Sequence, residues 1–225
     1  MPSFVAGQSK LARSGGSATP TVAFDNNVTA GNAVAVFIRW TGTATLNSVA
    51  DSLGNSYTLA GAGHTEGVSS NRARWAYFVN LPSGGACTIT ATFSAAPGET
   101  DLGIHENTGS ELVLDTSVLV SLGDLGTGTD AWTTGTTTIA DNAIINAWAA
   151  DEGYGSTWST GTNYTTRHNE LEVASETREI TTGGSFAATF TNNNGFMDAF
   201  VGLLSFKESG AAASILRQMM NYHGG

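Results

Sequence analysis

Lysine is almost missing from this 225-residue chain. Lys10 and Lys207 are its two lysines, and 9 lysines and arginines in all face 19 aspartates and glutamates, for a formal net charge of −10. Phosphate backbones are held by clustered cations, so nucleic acid is not an expected partner. The acid is scattered along the chain, which reads as solubility and mutual repulsion between copies. Charged residues make up 12%, about half the ~25% usual in globular domains. A single cysteine, Cys87, rules out an internal disulfide, and its place in an alternating run reads as a buried core thiol. No stretch reaches the ~18 apolar residues of a membrane span, so no membrane partner is expected. The first residues, MPSFVAGQSKLARSGG, lack the apolar centre of a signal peptide, so synthesis in a host cytoplasm without one is the expectation.

Several chemical signatures are missing too. No Gly-x-Ser-x-Gly pentapeptide occurs, so acyl transfer has no support. His64, His105, His168 and His223 show neither HxH nor HExxH spacing, and the glycines of 61–67 lack the GxGxxG pattern and a Walker lysine. His105 and Glu106 are neighbours, but adjacent strand residues point to opposite faces. Glu99, Asp101, Glu106, Glu111, Asp115, Asp151, Glu152, Glu170, Glu172 and Glu176 read as solvent-facing strand ends and loops. Asp25, Asn26 and Asn27 are oxygen donors on a turn, a pattern that turn chemistry explains without calcium. No catalytic residue, metal or cofactor is therefore assigned.

What is present is strand pattern. Residues 32–40, NAVAVFIRW, are nearly continuous in apolar content, as in a strand central in a sheet. Residues 72–80, RARWAYFVN, put Ala73, Trp75, Tyr77 and Val79 on one face and Arg74, Ala76 and Phe78 on the other. Residues 87–94, CTITATFS, alternate Cys87, Ile89, Ala91 and Phe93 inward with threonines outward. Further strand signals recur to residue 206 with Gly, Asn, Asp and Pro between them, and no repeat of fixed period is visible. The expectation is an all-β fold: a single two-sheet sandwich over residues 1–207. At 208–225, ESGAAASILRQMMNYHGG reads as a short helical tail whose Ile215, Leu216, Met219 and Tyr222 share one stripe. Too short to fold alone, that tail must pack on its own domain, pair with copies of itself or dock on a partner. The expectation is that it attaches or oligomerises the protein through Ile215, Leu216, Met219, Met220 and Tyr222, the alternative that it folds back over an exposed strand of its own sandwich.

Five runs in order, VTAGNAVAVFIRW (28–40), VADSLGNSYTLAGAG (49–63), WAYFVNLPSGGACTITATFS (75–94), DLGIHENTGS (101–110) and DNAIINAWAADEG (141–153), closed by FVGLLSFK (200–207), carry a family likeness. The chain resembles the β-sandwich modules of bacterial surface proteins and phage virion proteins. That resemblance implies a jelly-roll-like sandwich displayed on a surface, with no shared catalytic motif. With the tail, it points to a non-enzymatic virion protein, a capsid decoration (cement) or fibre-type subunit at the virion surface. Its partners would be copies of itself, as in a trimer, and other virion proteins such as the major capsid protein. The alternative is a module that binds carbohydrate, including host-surface glycans. Its site would be the loop aromatics Tyr154, Trp158 and Tyr164 beside Asp151 and Glu152, since ring faces pack on sugars.

Overall fold

The computed structural model describes residues 1–65, 70–122, 130–151, 158–170, 172–192 and 199–210. Among them every regular element is a strand, the class the alternation predicts. Of the expected helical tail at 208–225, residues 211–225 lie outside the described residues, and Glu208 is the last residue of a strand, Ala199–Glu208.

In the first half, β1 (Ser3–Gly15), β8 (Glu99–Thr108), β3 (Ala33–Thr41), β6 (Asn71–Phe78) and β5 (Thr58–Thr65) form one antiparallel sheet in that order. A smaller sheet, β2 (Thr21–Ala23), β7 (Thr88–Phe93) and β4 (Leu46–Asp51), covers one of its faces. The second half repeats this order with different residues. Its large sheet runs β9 (Leu112–Leu122), β18 (Ala199–Glu208), β12 (Ala143–Asp151), β15 (Val173–Ile180), β14 (Thr165–Glu170). Its small sheet is β10 (Asp130–Thr133), β17 (Thr189–Asn192) and β13 (Trp158–Ser159), continued by a ribbon of β11 (Thr137–Ile139) and β16 (Gly184–Phe186).

The sequence predicts two sheets; among the described residues five are present, stacked in four layers. The cause is that both large sheets are apolar on both faces. Outward in the first half, Val34, Val36, Ile38, Leu102 and Ile104 meet Val22, Leu46, Val49, Ile89, Ala91 and Phe93. Outward in the second, Ile145, Ala147, Val201 and Leu203 meet Trp132, Ile139, Trp158 and Phe190. Between the halves, Ala33, Ala35, Phe37, Ala73 and Trp75 face Ile144, Trp148, Phe200, Leu204 and Phe206. Full burial of each large side chain contributes about 1.5–3 kcal/mol, so neither inner face is stable in water. The expected face assignments of residues 73–79 and 87–93 match these clusters, and Cys87 is buried, its thiol pushed up to about 12 by burial and then by Asp51.

The central layer contact is a reciprocal seat. Trp148 of β12 lies over Gly103 of β8, and Trp75 of β6 lies over Gly202 of β18; a Cβ at either glycine would fall closer than 3.0 Å to the facing indole. Phe37 sits between them, stacked on Trp148 at 5.9 Å and edge-on to Trp75 at 5.3 Å. Each half thus supplies one tryptophan and one glycine, and the sheets approach closely only because both glycines lack a side chain.

Gly103→Ala is expected to destabilise the protein by about 1–3 kcal/mol through overpacking. In a Trp148→Phe background, which removes the ring atoms that the new methyl meets, the same change costs less. Urea unfolding of the four-member cycle measures this; equal costs in both backgrounds would contradict the seat.

Candidate functional site

Among the described residues, those the sequence singled out do not converge on one surface. Trp158 is 3% exposed, edge-on to Trp132 and to Phe190 at 6.2 Å each, so it is a core side chain with no ring face for a sugar. Asp151 is buried and accepts a hydrogen bond from the Asn192 amide. Tyr164 alone reaches an accessible concavity, half-buried, with its hydroxyl donating to the Ala187 carbonyl at 3.0 Å. Glu152, Tyr154, Ile215, Leu216, Met219, Met220 and Tyr222 lie outside the described residues.

The carboxylates depart most from expectation. Asp101, Glu106, Asp151, Glu172 and Glu176 are buried, against a reading that placed them in solvent, and hydrogen-bond donors or opposite charges explain most of it. Glu106 accepts from Gln8 Nε2 at 2.7 Å, Thr29 N at 2.8 Å and Asn32 Nδ2 at 2.6 Å. Asp101 lies between two guanidiniums, 2.7 Å from Arg13 and 2.8 Å from the buried Arg39. Glu99 reaches Arg39 at 2.7 Å, and Glu172, from the other half, reaches Arg13 at 2.6 Å. Removing one partner from such a cluster would leave a buried charge uncompensated. Asp51 organises the DSLGN turn by accepting from Leu53 N, Asn55 N, Asn55 Nδ2 and Tyr57 Oη, with Gly54 at φ +91°.

His105 and Glu106 point apart, as alternation requires. His105 crosses to the second half, with Nδ1 3.1 Å from Asn146 Oδ1 and Nε2 3.1 Å from Ser175 Oγ. The order Ser, His, Asn is that of a nucleophile with its base and orienting group. All three side chains are fully buried, and burial, outweighing the Asn146 bond, lowers His105 to about 3. No substrate reaches Ser175 while all three side chains are buried, and burial makes the imidazole a weak base. Its role is to tie β8 to β12 and β15.

One concavity of about 310 Å³ opens beside Tyr164, lined by Thr160, Thr162, Arg178, Thr189 and Thr191. Arg178 lies over the Phe186 ring at 4.8 Å and over Tyr164 at 5.6 Å. Beneath it Glu176 accepts from Gly161 N at 2.8 Å, and burial pushes its carboxyl up to about 8. Hydroxyls and one guanidinium on an aromatic base suit a neutral, polyhydroxylated ligand. Among the described residues no group of three or more His, Cys, Asp or Glu is placed to hold a metal ion. Asp25 pairs with Lys10, and the Asn26 and Asn27 carbonyls accept from Gln8. No family model, curated protein or solved structure matches the chain.

These two buried groups give opposite pH dependences. Glu176 keeps a proton in the fold that the unfolded chain, near 4.5, gives up; that stabilisation is full below pH 4.5 and lost as pH rises through about 8. His105 stays neutral where the unfolded chain, near 6.5, takes a proton; its stabilisation is full above 6.5 and lost as pH falls towards about 3. The urea midpoint should therefore rise from pH 8.5 to 6.5, and Glu176→Gln should remove that limb. A limb unchanged in the variant would show that Glu176 is not its source.

Proposed function

We propose that this chain is a non-enzymatic structural subunit of a phage particle, a decoration or fibre-type protein attached or oligomerised through residues 208–225. The observation that carries this reading is the disposition of its ionisable side chains. His105, Asp101, Glu106, Arg39 and Glu172 are closed inside, where each fastens strands to one another, and chemistry needs such groups at an accessible cleft. With the β11–β16 ribbon set aside, each half orders its strands first-last-third-sixth-fifth against second-seventh-fourth, two facing antiparallel sheets that are compatible with a sandwich, an architecture used by capsid proteins. Fold alone does not set function, so the assembly reading rests on its test.

The chain leaves the second sandwich beside its first residues. Glu208 pairs with the Met1 amine at 3.0 Å and accepts from Ser110 N, and Ser209 N donates to the Glu111 carbonyl. Attachment through the segment that follows would hold the double sandwich by one end and leave its loops outward. Copies carrying like charge would be kept apart elsewhere on their surfaces.

A second reading, a glycan-binding role, is favoured by the threonine-rich concavity at Tyr164, with Tyr164 and Arg178 as its side chains. The two readings are compatible in a receptor-binding fibre.

Light scattering on the full chain and on a chain ending at Gly210, a boundary that spares the Glu208 and Ser209 bonds, tests the assembly reading. A closed oligomer such as a trimer is expected for the first and a folded monomer for the second; equal masses would remove the tail as the assembly element. On a glycan array, Tyr164→Ala should abolish any signal the full chain gives, and retention would remove that site.

A further inference from the structure

We propose that Arg72 and Arg74 form a binding site for an oxyanion, a carboxylate, sulfate or phosphate group, at one end of the first sandwich. Two residues apart on β6, both side chains leave the same face of the strand, about 7 Å apart along it. They line a concavity of about 200 Å³ together with Thr45, Thr65 and the edge of Trp40. Thr65 is opposite Arg72 in the β5–β6 register, so its hydroxyl emerges on that same face.

Both guanidiniums are held in place by backbone carbonyls. Arg72 Nε donates to the Gly42 carbonyl at 3.0 Å. Arg74 is held by a bulge: pairing jumps from Ala60↔Trp75 to His64↔Ala73, so residues 61–63 all oppose Arg74. The Gly61 carbonyl, turned out of the ladder, accepts from Arg74 at 2.7 Å, and Gly63 leaves room for the arginine stem, since a Cβ there would be 3.3 Å from its Cδ. Each anchoring bond uses one of the five N–H donors of a guanidinium.

The charge is the second argument. Among the described residues Lys10, Arg13, Arg39 and Lys207 are all in ion pairs with carboxylates; Arg72, Arg74, Arg167 and Arg178 are in none, but Arg167 and Arg178 lie over aromatic rings, and only Arg72 and Arg74 share one concavity. In a chain of net charge −10, two adjacent cations fixed side by side with neutral partners make a local positive potential that an anion relieves. A planar fork suits a carboxylate or phosphate in two-pronged contact. Such a group is carried by acidic sugars and by free or esterified phosphate, and the size of the concavity fits the headgroup rather than a whole oligosaccharide.

The test follows the arginine Nε–H resonances of the full chain during titration with sodium phosphate and, separately, sodium glucuronate, against sodium chloride at matched ionic strength. Saturable shifts confined to Arg72 and Arg74, assigned through Arg72→Gln and Arg74→Gln, are expected from at least one of the two. Phosphate alone would identify a phosphate source, glucuronate alone a carboxylate sugar, and both a site for either oxyanion. Arg72→Gln should weaken binding at least about tenfold, the loss of one charge-assisted hydrogen bond. Arg74→Lys, which keeps the charge and spares the bulge, should weaken it less than Arg74→Gln. No saturable shift with either anion, or equal shifts at Arg167 and Arg178, would overturn the proposal.

Discussion

Two glycines facing two tryptophans set the distance between the halves of this protein. Gly103 and Gly202 occupy equivalent places, on the last strand of each half and next to the central strand, and each takes the indole offered by the other half. Everything else that crosses the interface depends on that approach. At this spacing Phe37 fits between the indoles, His105 bridges to Asn146 and Ser175, Arg167 of β14 lies 3.8 Å over the Phe4 ring of β1, and Arg13 reaches Glu172. A side chain at either glycine would push the sheets apart and weaken all of these contacts together.

The same interface explains an acidic chain that buries so many of its acids. Of the five buried carboxylates, Asp101 and Glu172 are in ion pairs with arginine, and the others are accommodated differently. The structure uses three devices: guanidiniums shared among several acids around Asp101, neutral donors around Glu106 and Asp151, and a retained proton on Glu176. Each ties segments far apart in sequence, Glu106 to Gln8 and Asn32, Glu172 to Arg13. Ionisable groups committed in this way serve the scaffold, and this is why the proposed function is structural and the proposed anion site falls on two neighbouring arginines that form no ion pair among the described residues.

The strands were legible in the sequence, because period-two alternation at 72–80 and 87–93 is a local signal, and the continuous run at 33–40 announces a central strand covered on both faces. That run also held the clue to four layers: a strand apolar on both faces needs two partners, and so does its counterpart at 143–151. The duplication itself was not legible, since strand order is kept by alternation and turn placement, which different residues satisfy equally well. The Gly103 and Gly202 seats were hidden for a related reason: a glycine inside a strand marks a close approach, but nothing local names the partner. Trp158 shows the converse error, an aromatic amid Gly, Ser and Thr that resembles a loop platform and belongs to the core. Buried acids were missed because the donors that accept them into the interior are distant in sequence.

If the interface is the constraint on which the fold rests, neither half unfolds alone. Differential scanning calorimetry of the full chain addresses this directly through the ratio of calorimetric to van't Hoff enthalpy. A single transition with a ratio near one is the predicted result. Two resolved transitions, or a ratio near two, would show that each half is stable without the other and would contradict the account.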